Sequence, residues 1–265
     1  MDGKKFLGPY TLIEKLGTGS TGTVHRGYDE SLDRQVAIKV LLPGLQKEKM
    51  PIITEEAKIL AKLSHPNIVQ VYYAGEEDDI GFLAMEFVDG VNLRELLNTE
   101  GPLPADDALD IIIQTSRGLN AAHKQGITHR DIKPANLLMN NHGIIKIADF
   151  GLAGVAISQQ KEGRRIAGTF HYISPEQAKG LTVDCRSDMY SLGITFFHLL
   201  TGEPPFKADT VAGLIWHHAE SDLPVEPLQS REVPDCIIAT IRKMTAKSPS
   251  ERYASYIDLL KELDK

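Results

Sequence analysis

The sequence predicts an α+β fold in two lobes, a small β-rich one ahead of Asp89-Gly90 and a larger α-rich one behind it. Three observations carry this. Short runs of apolar and β-favouring residues punctuated by glycine fill the first third, helical 3–4 spacing dominates the remainder, and Val88-Asp89-Gly90 breaks the chain between them. A length of 265 residues suits a single domain over 1–265, with its first lobe at 1–88 and its second at 89–265. Hydrophobic residues at 42% and charged residues at 25% are ordinary for a soluble globular protein, and 22 Gly with 14 Pro exclude a collagen-like chain.

Taken in order, Tyr10 to Leu16 and Gln35 to Leu41 read as strands, with Gly17, Gly19, Gly22 and Gly27 between them. Ile52, Ile53, Glu56, Ile59, Leu60 and Leu63 share one helical face, which predicts a helix from Ile52 to Leu63. Ser64-His65-Pro66-Asn67 stops it, because a residue before proline avoids the helical region. Ile68 to Ala74 and Gly81 to Val88 read as two further strands around a solvated turn at Glu76-Glu77-Asp78-Asp79. Asn92 is a good N-cap for a helix at Leu93 to Leu97, and Ala105 to Lys124 is a long amphipathic helix. Leu137–Met139 and Ile144–Ile147 flank Asn140-Asn141-His142-Gly143 as a hairpin. Helical patterns resume from Ser187, Val211, Pro234 and Tyr253, and Leu192 to Leu200 reads as a buried helix.

Charge narrows the partners. Lys plus Arg total 29 and Asp plus Glu 36, a net charge of −7, which argues against nucleic acid as a partner. Two cysteines, Cys185 and Cys236, make neither a disulfide framework nor a four-ligand zinc site, and read as reduced thiols of a cytoplasmic protein. No membrane partner is expected. Residues 1–10 lack the apolar core of a signal peptide, Asp2 stands where myristoylation needs a glycine, and Leu192–Leu200 is too short to span a bilayer.

Four segments carry chemistry. Gly17-Thr18-Gly19-Ser20-Thr21-Gly22-Thr23-Val24 follows a strand, and its glycines let backbone amides approach phosphate oxygens. A Rossmann reading needs a helix directly afterwards, whereas Thr23-Val24-His25-Arg26-Gly27 continues as a strand. Lys39 in Val36-Ala37-Ile38-Lys39 reads either as an edge-strand lysine in solvent or as a buried cation awaiting an anion, with Glu56 on the next helix as its partner and Glu55 as the rival one helical step away. Thr128-His129-Arg130-Asp131-Ile132-Lys133-Pro134-Ala135-Asn136 is the densest polar segment. There an aspartate can accept a hydroxyl proton, a lysine two residues on can neutralise a phosphoryl group, and an asparagine five residues on offers oxygen to Mg²⁺. Asp149 in Ala148-Asp149-Phe150-Gly151 is a second hard oxygen ligand, thirteen residues after Asn136 with the hairpin between.

These four segments, in this order and spacing, resemble the eukaryotic-like serine/threonine protein kinases over Phe6 to Leu263. Gly168-Thr169 and Ser174-Pro175-Glu176 look like the end of the family's activation segment, Asp188 to Gly193 like its buried second-lobe helix, and Arg252 like the partner of Glu176. Tyr190 and the run Ser-Pro-Glu-Gln-Ala look most like the bacterial branch. The resemblance implies a two-lobed kinase fold, with one regulatory helix in the first lobe, that transfers the γ-phosphoryl of ATP to Ser or Thr of protein substrates. Asp131 would be the base and Lys133 the phosphate stabiliser, with Thr169 bonded to both. Asn136 and Asp149 would hold Mg²⁺, with Mn²⁺ as an alternative, and Lys39 would touch the α- and β-phosphates, tethered by Glu56. The nucleotide would lie against Leu16, Gly17, Thr18, Gly19, Ser20, Thr21, Gly22 and Asn92, its ring between Val24, Ala37 and Leu138. Met85 would be the gatekeeper, with the Glu86 carbonyl and Val88 amide reaching adenine.

Two departures shape what the resemblance implies. Ala135, and Asn92 near a second position, stand where kinases that prefer basic substrates carry acids. Leu152 to Ala167 holds one hydroxyl, Ser158, and Gln159-Gln160-Lys161-Glu162-Gly163-Arg164-Arg165 occupies the usual phospho-threonine region. Activation without phosphorylation there, with Glu162 as a permanent anion for Arg130, is the preferred expectation; phosphorylation of Ser158, with a transient homodimer for autophosphorylation, is a second, and a disordered Leu152 to Arg165 with Arg130 bonded to a backbone carbonyl is a third. A weakly active nucleotide-binding scaffold and a small-molecule kinase are the alternatives to a protein kinase. Both a whole protein and the catalytic part of a longer one are consistent with an end at Lys265.

Overall fold

The computed structural model describes residues 5–19, 22–42, 60–150 and 169–264, which fall into two compact units, the first ending at Asp89 and the second starting at Gly90. The first unit is one antiparallel sheet. Its strands are β1 (Lys5–Leu7), β2 (Tyr10–Thr18), β3 (Gly22–Asp29), β4 (Arg34–Leu41), β5 (Val71–Glu77) and β6 (Ile80–Glu86), in the spatial order β1-β2-β3-β4-β6-β5. Successive side chains of a strand point to opposite faces. Val36, Ile38 and Val40 therefore share one face of β4, where they pack with Leu7, Tyr10, Leu12, Phe82 and Ala84. Each fully buried side chain of this kind contributes about 1.5–3 kcal/mol.

Local chemistry sets the strand ends. Asp78 and Asp79 take φ of 49° and 60°, a two-residue turn whose twist matches that of paired strands, so β5 and β6 reach to Glu77 and Ile80 and absorb part of the expected turn. β5 starts at Val71 rather than Ile68, because the Ile68 amide closes a turn on the His65 carbonyl at 3.1 Å. β6 ends at Glu86, two residues before the expected Val88. The helix expected over 52–63 lies outside the described residues except for its last turn, where Leu63 N–H donates to the Leu60 carbonyl at 3.0 Å.

The second unit holds a small sheet of β7 (Gly90–Asn92), β8 (Leu137–Asn140) and β9 (Ile145–Ile147) in that spatial order, and eight helices among the described residues. They are α1 (Leu93–Glu100), α2 (Ala105–His123), α3 (Pro175–Ala178), α4 (Cys185–Thr201), α5 (Val211–Glu220), α6 (Glu226–Gln229), α7 (Asp235–Met244) and α8 (Tyr256–Leu263). Helix α4 is the centre of this unit. Met189, Tyr190, Leu192, Ile194, Phe196, Phe197, Leu199 and Leu200 are all at most 2% exposed, and Gly202 ends the helix at φ 83°. An amphipathic stripe runs down α2 through Ala108, Ile111, Ile112, Leu119 and Ala122.

Two helices escape sequence reading. Both α3 and α6 have four residues, too few for a 3.6-residue period to show. Helix α8 begins three residues later than expected, because Ser255 caps it by accepting from the Asp258 amide. Between β8 and β9 the Asn140 carboxamide accepts from the His142 and Ile144 amides, both at 2.9 Å, and Gly143 supplies φ 73°. This hairpin carries the chain from Asn136 back to Asp149.

Candidate active site

The segment 128–136 has no long regular structure to hold it, so its backbone groups are satisfied by side chains from elsewhere. Asp188, in the first turn of α4, accepts from two successive amides, His129 N–H at 2.7 Å and Arg130 N–H at 2.6 Å. Complete burial pushes the Asp188 carboxyl up, against the lowering pull of these two amide donors. The loop so pinned includes Arg130 at φ 67°, a conformation costly for a residue with a Cβ.

His129 braces the other side. Its Nδ1 accepts from the Asp131 amide at 3.2 Å, which leaves Nε2–H to donate to the Ala148 carbonyl at 2.8 Å. The two bonds set the tautomer and join residue 131 to the chain just before Asp149. The Phe150 ring packs edge-on against the imidazole, 4.5 Å between centroids. Asp149 itself sits at φ 64°, a second left-handed residue at this site.

Asp131, Lys133 and Asn136 form one network. Lys133 Nζ donates to Asp131 Oδ2 at 2.7 Å, and Asn136 Nδ2 donates to the same oxygen at 3.1 Å and to the Asp131 carbonyl at 2.7 Å. Pro134–Asn136 is a single 3₁₀ turn, closed by Asn136 N–H on the Lys133 carbonyl. The Ala148 amide donates to the Asn136 carbonyl at 2.9 Å, so the backbones leading to the two expected metal ligands are hydrogen-bonded together. With Nδ2 committed to Asp131, only Oδ1 of Asn136 has the chemistry of a ligand. One neutral and one anionic oxygen donor from the protein, with the remaining positions left to water and phosphate, suit Mg²⁺.

In the first unit the register gathers several expected residues on one face. Lys39 lies opposite Val24 on β3 and Leu83 on β6, and Ala37 lies opposite Met85. Period-2 alternation puts Val24, Ala37, Lys39 and Met85 on the face opposite the Val36–Ile38–Val40 core. Lys39 is 2% exposed on an interior strand, so the reading of it as a solvent-facing edge lysine is overturned. The glycine loop is tight where it can be seen. Gly19 N–H donates to the Gly22 carbonyl at 2.8 Å, and a Cβ on Gly22 would come 2.1 Å from the Val40 carbonyl oxygen. Glu86 accepts at Oε2 from the Gln70 amide, which ties the end of β6 to residue 70.

Glu56, Ser20, Thr21, Ser158 and Glu162 lie outside the described residues, as does the side chain of Thr169. Asn92 accepts at Oδ1 from the Glu95 amide at 3.0 Å, so the carboxamide expected beside the nucleotide is the cap of α1. Leu138 is half-buried on β8, opposite Asn92 and Lys146.

Around helix α3 the structure forms the Glu176–Arg252 pair that the resemblance implies and adds two bonds, from Ser187 and Gln177, that sequence reasoning passes over. Arg252 forks onto Glu176 at 2.7 and 2.9 Å, and spends its other N–H groups on the Arg186, Ala246 and Lys247 carbonyls. Burial pushes the Glu176 carboxyl up, but the Arg252 and Ser187 hydrogen bonds outweigh it and hold the group below the usual range. Gln177 completes a capping box with Ser174 and donates to the Arg130 carbonyl at 3.0 Å. The bonds of Ser187 to Glu176 and of Gln177 to Arg130 carry no local signal, since they span 11 and 47 residues of sequence.

An antiparallel sheet with a buried interior lysine, followed by a helical unit whose central helix clamps an aspartate loop, is the protein kinase fold. A crystal structure of Rad53 1-466 in complex with AMP-PNP is similar at TM-score 0.81 and 27% identity, over 96% of this chain and 64% of that one. The chain belongs to the protein kinase domain family, which matches residues 10–262. Its relatives include a probable serine/threonine-protein kinase PknB of Lactococcus lactis, 36% identical over 98% of this chain, and the serine/threonine-protein kinase PrkC of Bacillus subtilis, 38% identical over 97%. The serine/threonine-protein kinase PknB of Mycobacterium leprae is 37% identical over 96%. The chain spans about two fifths of the length of these relatives, between 40% and 42%. Among the described residues no helix is long and apolar enough to cross a membrane.

Proposed function

We propose that this domain, over 1–265, transfers the γ-phosphoryl group of ATP to Ser and Thr hydroxyls of protein substrates. The observation that carries the reading is the Asp131–Lys133–Asn136 network, in which one carboxylate is oriented by a cation and an amide through the same oxygen. Asp131 then accepts the acceptor hydroxyl's proton, and Lys133 neutralises charge on the transferring group. Asn136 and Asp149 would hold Mg²⁺, which would supply charge neutralisation at the phosphates. Lys39, on the apolar face with Val24, Ala37 and Met85, takes the α- and β-phosphates, with Glu56 as its tether. The Glu86 carbonyl and Val88 amide are assigned to adenine, and Val24, Ala37 and Leu138 to its ring, by resemblance.

The acceptor is Ser or Thr because Lys133 and Thr169 stand as in the serine/threonine branch. With no carboxylate at Ala135 or Asn92, basic residues upstream of the acceptor are not strongly demanded. The Arg130 side chain is exposed, and Glu162 or phosphorylated Ser158 is its anion. The test is transfer from γ-labelled ATP onto protein substrates by the wild type and by Asp131→Asn, Lys39→Ala and Asp149→Asn. Each variant should lose about 10²–10⁴-fold in kcat with its thermal transition unchanged. Turnover of Asp131→Asn within tenfold of wild type would falsify the assignment of the base.

A further inference from the structure

The peptide group between Arg130 and Asp131 is held at both ends. Its N–H donates to His129 Nδ1 at 3.2 Å, and its C=O accepts from Gln177 Nε2 at 3.0 Å. His129 belongs to the same loop, whereas Gln177 is 47 residues on, in the helix that follows the 3₁₀ turn Thr169–Tyr172. The side chain of Gln177 has one consistent orientation. Its Oε1 accepts from the Ser174 amide at 3.1 Å while its Nε2 faces the Arg130 carbonyl, and a flipped amide would set N–H against N–H and oxygen against oxygen. One carboxamide therefore reads two segments at once, through two chemically different atoms.

The peptide it holds is strained. Arg130 is at φ 67°, and Asp188 draws the amides of residues 129 and 130 to one side. A left-handed residue persists where surrounding bonds over-determine it. Gln177 supplies the bond to the carbonyl, and a rotation of that peptide would swing the Asp131 Cα and with it the carboxylate that Lys133 and Asn136 orient. The Glu176–Arg252 pair fixes the neighbouring residue of α3 in the protein interior, so Gln177 acts from an immobile base.

We propose that Gln177 is a positioning residue for phosphoryl transfer: its Nε2–H sets the plane of the 130–131 peptide, and so the aim of Asp131, according to the place of the segment that carries α3. This rests on the reading of Asp131 as the base. The bond joins the part of the chain that resembles the end of an activation segment to the part that takes the proton, so it acts on the chemical step and leaves ATP affinity alone.

Two substitutions split the two atoms. Gln177→Glu keeps an oxygen for the Ser174 amide and loses the donor to Arg130. Gln177→Lys keeps a donor within reach of the Arg130 carbonyl and loses the acceptor for Ser174. Single-turnover transfer to a Ser-containing peptide, KM for ATP and the thermal midpoint are measured for both, with Asp131→Asn alongside. Gln177→Glu should transfer about five- to tenfold more slowly, the weight of one hydrogen bond, with KM for ATP within twofold of wild type. Gln177→Lys should keep the transfer rate within twofold and lower the midpoint by about 2–4 °C, as loss of a cap does. The reverse order, equal losses in both, an unimpaired Gln177→Glu, or a Gln177→Glu that no longer unfolds cooperatively would each overturn the role. An inactive Asp131→Asn beside an indifferent Gln177→Glu removes Gln177 alone, whereas an active Asp131→Asn removes the base and this inference with it.

Discussion

The two units put their expected site residues in place by different physics. In the sheet, strand alternation does it: Val36 and Ile38 face the core, so Ala37 and Lys39 must face the other way, and the ladder sets Val24 and Met85 beside them. In the loop 128–136 no ladder operates, and position comes from side chains that reach backbone groups across the sequence, Asp188 over 58 and 59 residues and Gln177 over 47. A sheet distributes its determinants over many interchangeable apolar contacts. A loop of this kind concentrates them in a few hydrogen bonds with no substitute. The sheet should therefore lose stability before it loses geometry, and the loop should lose geometry first.

Asp188→Asn is the largest expected break of that contrast. It replaces an acceptor of two charge-assisted bonds by a group that sets NH₂ against one of the amides, a cost of about 3–5 kcal/mol. Released from its clamp, Arg130 can leave φ 67°, and kcat per folded molecule should fall by more than about 100-fold. Denaturant unfolding and turnover, measured together, check both halves; a stable variant with normal kcat would show that the loop holds itself.

The difference also explains what can be read in advance. The Val36-Ala37-Ile38-Lys39 strand is legible to within one residue of its start, because alternation is a local signal. The hairpin after Asn136 is legible because Asn140 and Gly143 have the turn chemistry it needs. Polar density singles out the aspartate loop, and resemblance gives its residues their expected roles. The clamp of Asp188, the tautomer of His129 and the bond of Gln177 are not legible, since nothing local distinguishes a buried acceptor from a helix-start aspartate, or a bridging glutamine from a capping one. Lys39 stands undecided in the sequence, and the order β3-β4-β6 makes its strand an interior one. Asn92 reads as a cap and is one, and the nucleotide-side place given to it by resemblance competes with that duty for the same oxygen.

A smaller break comes from the sheet. Ile38→Ala deletes a fully buried side chain between Tyr10, Phe82 and Ala84 and should cost about 2–4 kcal/mol. Lys39 and Ala37 stay on their face, because alternation and the ladder do not depend on the size of residue 38. Turnover per folded molecule should then stay within about threefold of wild type. A loss of kcat as deep as that of Asp188→Asn would erase the distinction between the two units.

The smallest expected effect is a pH dependence confined to the helical unit. Burial pulls the His198 imidazole down to about 4, with Arg94 and His171 adding repulsion and Gly202 and Glu203 opposing it. His218 is pulled down to about 3, first by burial and then by Lys247 and His171; Lys247 Nζ donates to the His218 carbonyl at 2.9 Å. Both rings are acceptors when neutral: His198 Nδ1 lies 2.7 Å from the Tyr172 hydroxyl and His218 Nδ1 lies 3.0 Å from that of Tyr190. The folded values lie below the ordinary histidine value of about 6.5, so between pH 6.5 and 4 the unfolded chain binds more protons than the folded one. Stability contributed by the neutral rings is complete above pH 6.5 and falls as the pH drops, by roughly 1 kcal/mol per histidine at pH 5.5. Because Tyr172 stacks on His198 at 6.0 Å and ends the 3₁₀ turn Thr169–Tyr172, acid should loosen that segment before the sheet. Thermal midpoints of wild type and of His198→Gln with His218→Phe, compared from pH 7.5 to 4.5, test this: the double variant should show the shallower decline, and parallel curves would assign the acid sensitivity to other groups.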